Sequence, residues 1–87
     1  MTEDTALEFP CQFPVKAMGK SSDNFDTLIV EIIRPHVDDI KEGDVSSKPS
    51  KGGKYTAVTV VINATSKQQL DAIYHSLTEH PDVLMAL

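Results

Sequence analysis

The side chains from which chemistry would have to be built are few in this chain: Cys11, the histidines His36, His75 and His80, and scattered hydroxyls such as Ser21. A metal centre needs ligands at close spacing, as in HExxH or CxxC, and neither pattern occurs. His75 and His80 are five residues apart, which sets them on different faces of a helix. His36 is followed four residues later by Ile40, so it reads as a helix-end residue rather than a ligand. Covalent catalysis needs a nucleophile, a base in reach and a group that orients the base. Cys11 or Ser21 with three dispersed histidines makes no such set, so the expectation is no catalytic residue, no metal and no cofactor. Gly52-Gly53 lies between Lys51 and Lys54 but lacks the spaced GxxxxGK[ST] pattern and a following helix. It reads as a hairpin turn, not a phosphate cradle.

Charge narrows the binding classes. A formal net charge of −5 argues against a general attraction to nucleic acid or anionic lipid. The charge is segregated, however: ten of the 13 acids fall in residues 1–44, whereas residues 45–70 carry Lys48, Lys51, Lys54 and Lys67 and no acid. Lys48, Lys51 and Lys54 have two readings. They are solvated guards that keep a sheet edge from pairing with other chains, or they form an anion-binding patch. Base stacking on a sheet needs aromatics on the central strands, and the strand that follows offers only Tyr55, so nucleic acid is not an expected partner.

The elements that must position these residues are legible in the hydrophobic pattern. Residues 1–10 are polar up to Pro10 and read as a flexible N-terminal arm. From Cys11 to Met18 the pattern alternates, with Phe13, Val15 and Ala17 on one face and Gln12, Pro14 and Lys16 on the other, which is a first strand. Gly19 to Ser22 breaks it, and Ser22 or Asp23 is placed to cap a helix. Phe25, Leu28, Ile29, Ile32 and Ile33 then recur at threes and fours, until Pro35 ends the helix near Arg34. A short edge strand near Asp44 to Pro49 and a turn over residues 50–53 lead to Tyr55 to Ala64. That segment is rich in β-branched residues and apolar on both faces, hence a central strand. Ser66 and Gln69 have the spacing of a capping box for a second helix, whose stripe is Leu70, Ile73, Tyr74 and Leu77. Pro81 stops it, and Val83 to Leu87 makes a last strand.

Strand, helix, strand, strand, helix, strand in a chain of 87 residues predicts one α+β domain over residues 11–87, the ferredoxin-like βαββαβ sandwich. Right-handed crossovers then give a four-stranded antiparallel sheet of order 4-1-3-2 with both helices on one face. The other face is left uncovered. It holds Met18 and Val61, two apolar residues that a protein partner or a second copy would cover. The lone Cys11 and the absence of a basic, apolar leader point to a reducing compartment, the cytoplasm, and no apolar run is long enough for a bilayer.

Five segments, FPVKAMG, KPSKGGKY, INAT, QLDAIYHSL and HPDVLMAL, resemble in the same order those of the YbeD-like family of small bacterial proteins, from about Phe9 to the last residue. The resemblance implies a ferredoxin-like fold similar to ACT domains and to the regulatory domain of phosphoglycerate dehydrogenase, and it implies no known activity. ACT domains bind small effectors where the first strand turns into the first helix, usually at a glycine, and Gly19 holds that place here. On this reading Gly19, Lys20, Ser21 and Ser22 form a ligand site in which backbone amides hold a carboxylate. The bland alternative is that Gly19 supplies an unusual backbone angle in a tight turn. A regulatory or adaptor module, acting on a protein partner or a small effector, is the expected function. Anion or RNA binding through Lys48, Lys51 and Lys54 is the alternative.

Overall fold

Alternation along the first strand decides which way the sheet faces. In β1 (Cys11–Lys20), Val15 and Ala17 are buried while Gln12, Pro14 and Lys16 are exposed. In β3 (Tyr55–Ala64), Val58, Val60, Ile62 and Ala64 are buried on the same side. The antiparallel register sets Val15 opposite Val60 and Ala17 opposite Val58, so the two central strands offer one continuous apolar surface. These features come from a computed structural model, which describes residues 8–87. Residues 1–7 of the proposed arm lie outside the described residues, and Phe9 is half-buried against the core.

Two helices cover that surface. α1 (Phe25–Ile33) turns Phe25, Ile29 and Ile33 inward, and α2 (Lys67–Glu79) turns Leu70, Ile73 and Leu77 inward. Both pack on one face of the sheet and against each other. β2 (Val45–Pro49) pairs with β3, and β4 (Met85–Ala86) pairs with β1, giving the order β2-β3-β1-β4 with every pair antiparallel. Read from the other edge this is 4-1-3-2, the ferredoxin-like arrangement expected from the order of elements. Pro35 ends α1 at Ile33, and a 3-10 turn over Arg34–His36 follows.

The local chemistry departs from the sequence reading at three places. β1 runs two residues beyond Met18, because Gly19 and Lys20 still find partners in Thr56 and Tyr55. The cap of α1 is Asn24 rather than Ser22 or Asp23, and no side chain closes it. The box at the start of α2 is half-formed as expected, with the Gln69 N–H donating to Ser66 Oγ at 3.1 Å. Its other half is displaced by one residue: Gln69 Oε1 accepts from the Thr65 N–H at 2.7 Å, while Gln69 Nε2 donates to the His36 carbonyl at 2.8 Å. That side chain therefore ties the end of the first helical segment to the start of the second, a tertiary partner that the spacing of Ser66 and Gln69 does not reveal.

Candidate functional site

The uncovered sheet face is built of cross-strand rows. Met85, Met18, Ala57 and Lys48 stand opposite one another across the four strands, and the next row is Lys16, Thr59 and Ser46, with Leu87 hydrogen-bonded to Lys16 at its end. Both bonds of that last pair are short, Lys16 N–H to Leu87 O at 3.0 Å and Leu87 N–H to Lys16 O at 2.8 Å. Below lie Pro14 with Val61, then Gln12 with Asn63. None of the strand residues on this side is acidic.

At one end of the face Met18, Ala57, Met85, Leu87 and the stem of Lys16 enclose a small, wholly apolar dimple of 80 Å³. Beside it Lys16, Lys48, Ser46, Ser47, Thr59 and Ala57 line a groove of 450 Å³. Lys16 and Ala57 belong to both. Leu84, Met85 and Leu87 are the exposed large apolar residues among the described residues, and all three lie on or beside β4. Tyr74 steadies this segment from α2, its hydroxyl donating to the Leu87 carbonyl at 2.6 Å. Desolvation by burial raises the pKa of that phenol above 10.0.

Met18 and Val61 do not form one patch. They are separated by the Lys16–Thr59 row, and four residues of strand from Ala57 to Val61 span about 13 Å. Val61 instead borders a second cleft, of 710 Å³, whose walls include Asp38, Asp39 and Asp44 with Lys41, Gln12 and the start of α2. The face is thus lysine-bearing at the Met18 end and edged by carboxylates at the Val61 end. The sequence reading placed Lys16, Met18 and side chains of the last strand on the face but named only Met18 and Val61 as partner-binding, without Met85, Leu87 or Lys16. An unbroken apolar run at 83–87, in which Met85 and Leu87 share a parity, is the signal that was there to find.

The strand-to-helix turn, where the resemblance implies an effector site, is built around Gly19. Gly19 is buried in β1 and has no left-handed backbone angle, so the tight-turn alternative is corrected. What the glycine permits is close packing: a Cβ would run into the Asp82 carbonyl and come within 2.6 Å of the Phe25 ring. The amides of residues 20–23 precede α1, which starts at Phe25, and the Ser21 N–H already donates to the Lys54 carbonyl at 3.0 Å. Ser21 Oγ is engaged with Thr56 Oγ1 at 2.7 Å. Lys20, Ser21 and Ser22 do border a cleft of 420 Å³, with Phe25, Pro81, Asp82 and Leu84 as its other walls.

Lys48, Lys51 and Lys54 are exposed but divided. Lys48 points from β2 onto the open face, whereas Lys51 and Lys54 flank the turn between β2 and β3. Gly52 and Gly53 hold φ of 88° and 74° there, and the Gly53 N–H donates to the Ser50 carbonyl at 2.8 Å, so the pair is a hairpin turn. His36 Nε2 meets Ser76 Oγ at 3.0 Å, His75 pairs with Glu79, and His80 Nδ1 accepts from the Asp82 N–H, each a local tie. No group of three or more His, Cys, Asp or Glu able to hold a metal occurs among the described residues.

A family profile described as "Protein of unknown function (DUF493)" matches residues 4–87. The chain belongs to this family. A UPF0250 protein of Chromobacterium violaceum is 54% identical over 81 residues, covering 93% of this chain and 91% of the relative. UPF0250 protein NE1487 of Nitrosomonas europaea is 39% identical over the whole length of both. Among solved structures, protein HP0495 from H. pylori superposes with a TM-score of 0.74 at 16% identity, over 93% of this chain and 85% of that one, which shows a shared fold. The DUF493 members similar to this chain are bacterial, as the resemblance to YbeD-like proteins indicates. The family description assigns no activity, and no helix among the described residues is long and apolar enough to cross a membrane.

Proposed function

We propose that this DUF493 chain is a small binding module, without chemistry of its own, that engages a protein partner through the Met18 end of its uncovered sheet face. One observation carries the reading: the exposed large apolar residues gather at β4, and two of them, Met85 and Leu87, join Met18 and Ala57 in an apolar dimple on the uncovered face of the sheet. Apolar residues scattered singly are ordinary on a surface, but a cluster on a flat, rigid face is what interfaces use. The absence of an assembled nucleophile or ligand set in the sequence agrees with a regulatory or adaptor role, and the lone half-exposed Cys11 agrees with work in the cytoplasm.

The small-effector reading is supported by the cleft beside Lys20, Ser21 and Ser22, with the Ser21 N–H already engaged by the Lys54 carbonyl. Anion or RNA binding by Lys48, Lys51 and Lys54 lacks convergence, since only Lys48 of the three reaches the face, and of the two strand aromatics Phe13 shares the buried side of β1 with Val15 and Ala17, leaving Tyr55 alone.

A photo-reactive residue at position 85, expressed in bacterial cells, is expected to give an adduct with a partner protein, while the same residue at Ala72 on the outer side of α2 gives none. Adducts equal at both positions, or none from position 85, reject the reading.

A further inference from the structure

The charges around the apolar dimple name the chemistry of its occupant. Lys16 and Lys48 line the recesses of the open face, in a chain whose net charge is −5. Guarding an edge accounts for Lys48, which sits on the outermost strand. It does not account for Lys16, which lies on β1 with β3 paired on one side and β4 on the other and so has no free edge to protect. Lys16 instead forms a wall of the dimple and a wall of the groove that also holds Lys48, Ser46 and Thr59. β1 and β2 are two strand spacings apart, about 10 Å, a gap that two lysine side chains can close from either side. An apolar recess and a place for a carboxylate are thus side by side, sharing Lys16.

We infer that this face takes an acidic amphipathic segment of a partner protein, with an apolar side chain in the Met18, Met85 and Leu87 dimple and a carboxylate between Lys16 and Lys48. The inference rests on the docking reading above and specifies its partner. A second copy of this chain fits less well. Two such faces would oppose lysine to lysine, and the chain's own acidic stretch from Asp38 to Asp44 carries no exposed large apolar residue to fill the recess. The acids that edge the Val61 end would repel the same segment there, which sets where it docks.

The test is affinity selection of a random 15-residue peptide library on the intact protein, with the selected peptides then resynthesised and titrated. Enriched peptides are expected to combine glutamate or aspartate with leucine-like residues. They should bind at least about tenfold more weakly to the Lys16→Glu, Lys48→Glu protein at low salt and lose affinity as salt rises. They should also shift the amide resonances of residues 16–18, 57–59 and 85–87. Peptides without an acidic excess that still depend on Met85 and Leu87 overturn the inference and leave the docking reading standing. Peptides indifferent to Met85→Ser with Leu87→Ser, or no enrichment at all, overturn both. Self-association that the lysine substitutions abolish assigns the face to a second copy and also overturns it. Unchanged circular dichroism of each variant keeps folding out of the comparison.

Discussion

Gly19 and Tyr74 show how single residues in this family member act through packing rather than through reaction. The space a side chain would need at Gly19 is occupied by the Asp82 carbonyl and the Phe25 ring. Gly19→Ala is therefore expected to cost roughly 1–3 kcal/mol, read as a lower urea midpoint with an unchanged slope. Gly43→Ala, where nothing lies within 4 Å, should stay within about 0.5 kcal/mol. Tyr74 makes a pH-dependent contribution. Burial raises its pKa in the folded chain, so the folded state holds the proton more tightly than the unfolded one. The contribution is complete below the unfolded value and fades as pH rises through the folded one. As pH rises above about 10, stability should fall more steeply for the natural chain than for Tyr74→Phe, as urea unfolding at each pH would show.

At the scale of elements, α2 depends on how its first turn is closed. Ser66 Oγ accepts the Gln69 N–H, and the Gln69 side chain serves both the Thr65 N–H and the His36 carbonyl. Ser66→Ala is expected to lower stability by about 1 kcal/mol. Gln69→Glu keeps an acceptor for Thr65 but cannot donate to His36, so it should also destabilise, by about 1 kcal/mol. Hydrogen exchange would show the second change as faster opening at the Arg34–His36 turn as well as at the start of α2. β4 is short as a ladder, yet its backbone bonds continue through Leu84 N–H to Met18 O at 2.8 Å and the two bonds between Lys16 and Leu87. That is how a two-residue strand holds three exposed apolar side chains in place.

For the whole molecule, the two sides of the sheet differ in how far they are covered. The helix-covered side contains the core, in which Ile73 is 0% exposed, and Ile73→Ala should cost about 2–5 kcal/mol, a large share of the roughly 5–15 kcal/mol typical of a domain. On the open side Met85 is 51% and Leu87 70% exposed. Leu87→Ser should leave stability in urea within about 0.5 kcal/mol while weakening the partner adduct formed from position 85. That pair of results would separate a contribution of this face to the proposed docking from one to the fold.

The sequence by itself determined the elements, their order and the side of the first strand that is buried. Strand alternation, the three-and-four helical stripes, Pro35, Pro81 and Gly52-Gly53 all act over a few residues, and a linear pattern contains that information. The ferredoxin-like order follows because few connections of six such elements remain right-handed and uncrossed. The grouping of Met18 with Met85 and Leu87, of Lys16 with Lys48, and of Val61 with the aspartates of the 38–44 loop was decided only in the tertiary structure. So was the filling of the space at Gly19 by Phe25 and Asp82, and the second bond of Gln69. Each of these unites residues from segments far apart in the chain, and which of them meet depends on strand register and helix docking, which the spacing within any one segment does not encode.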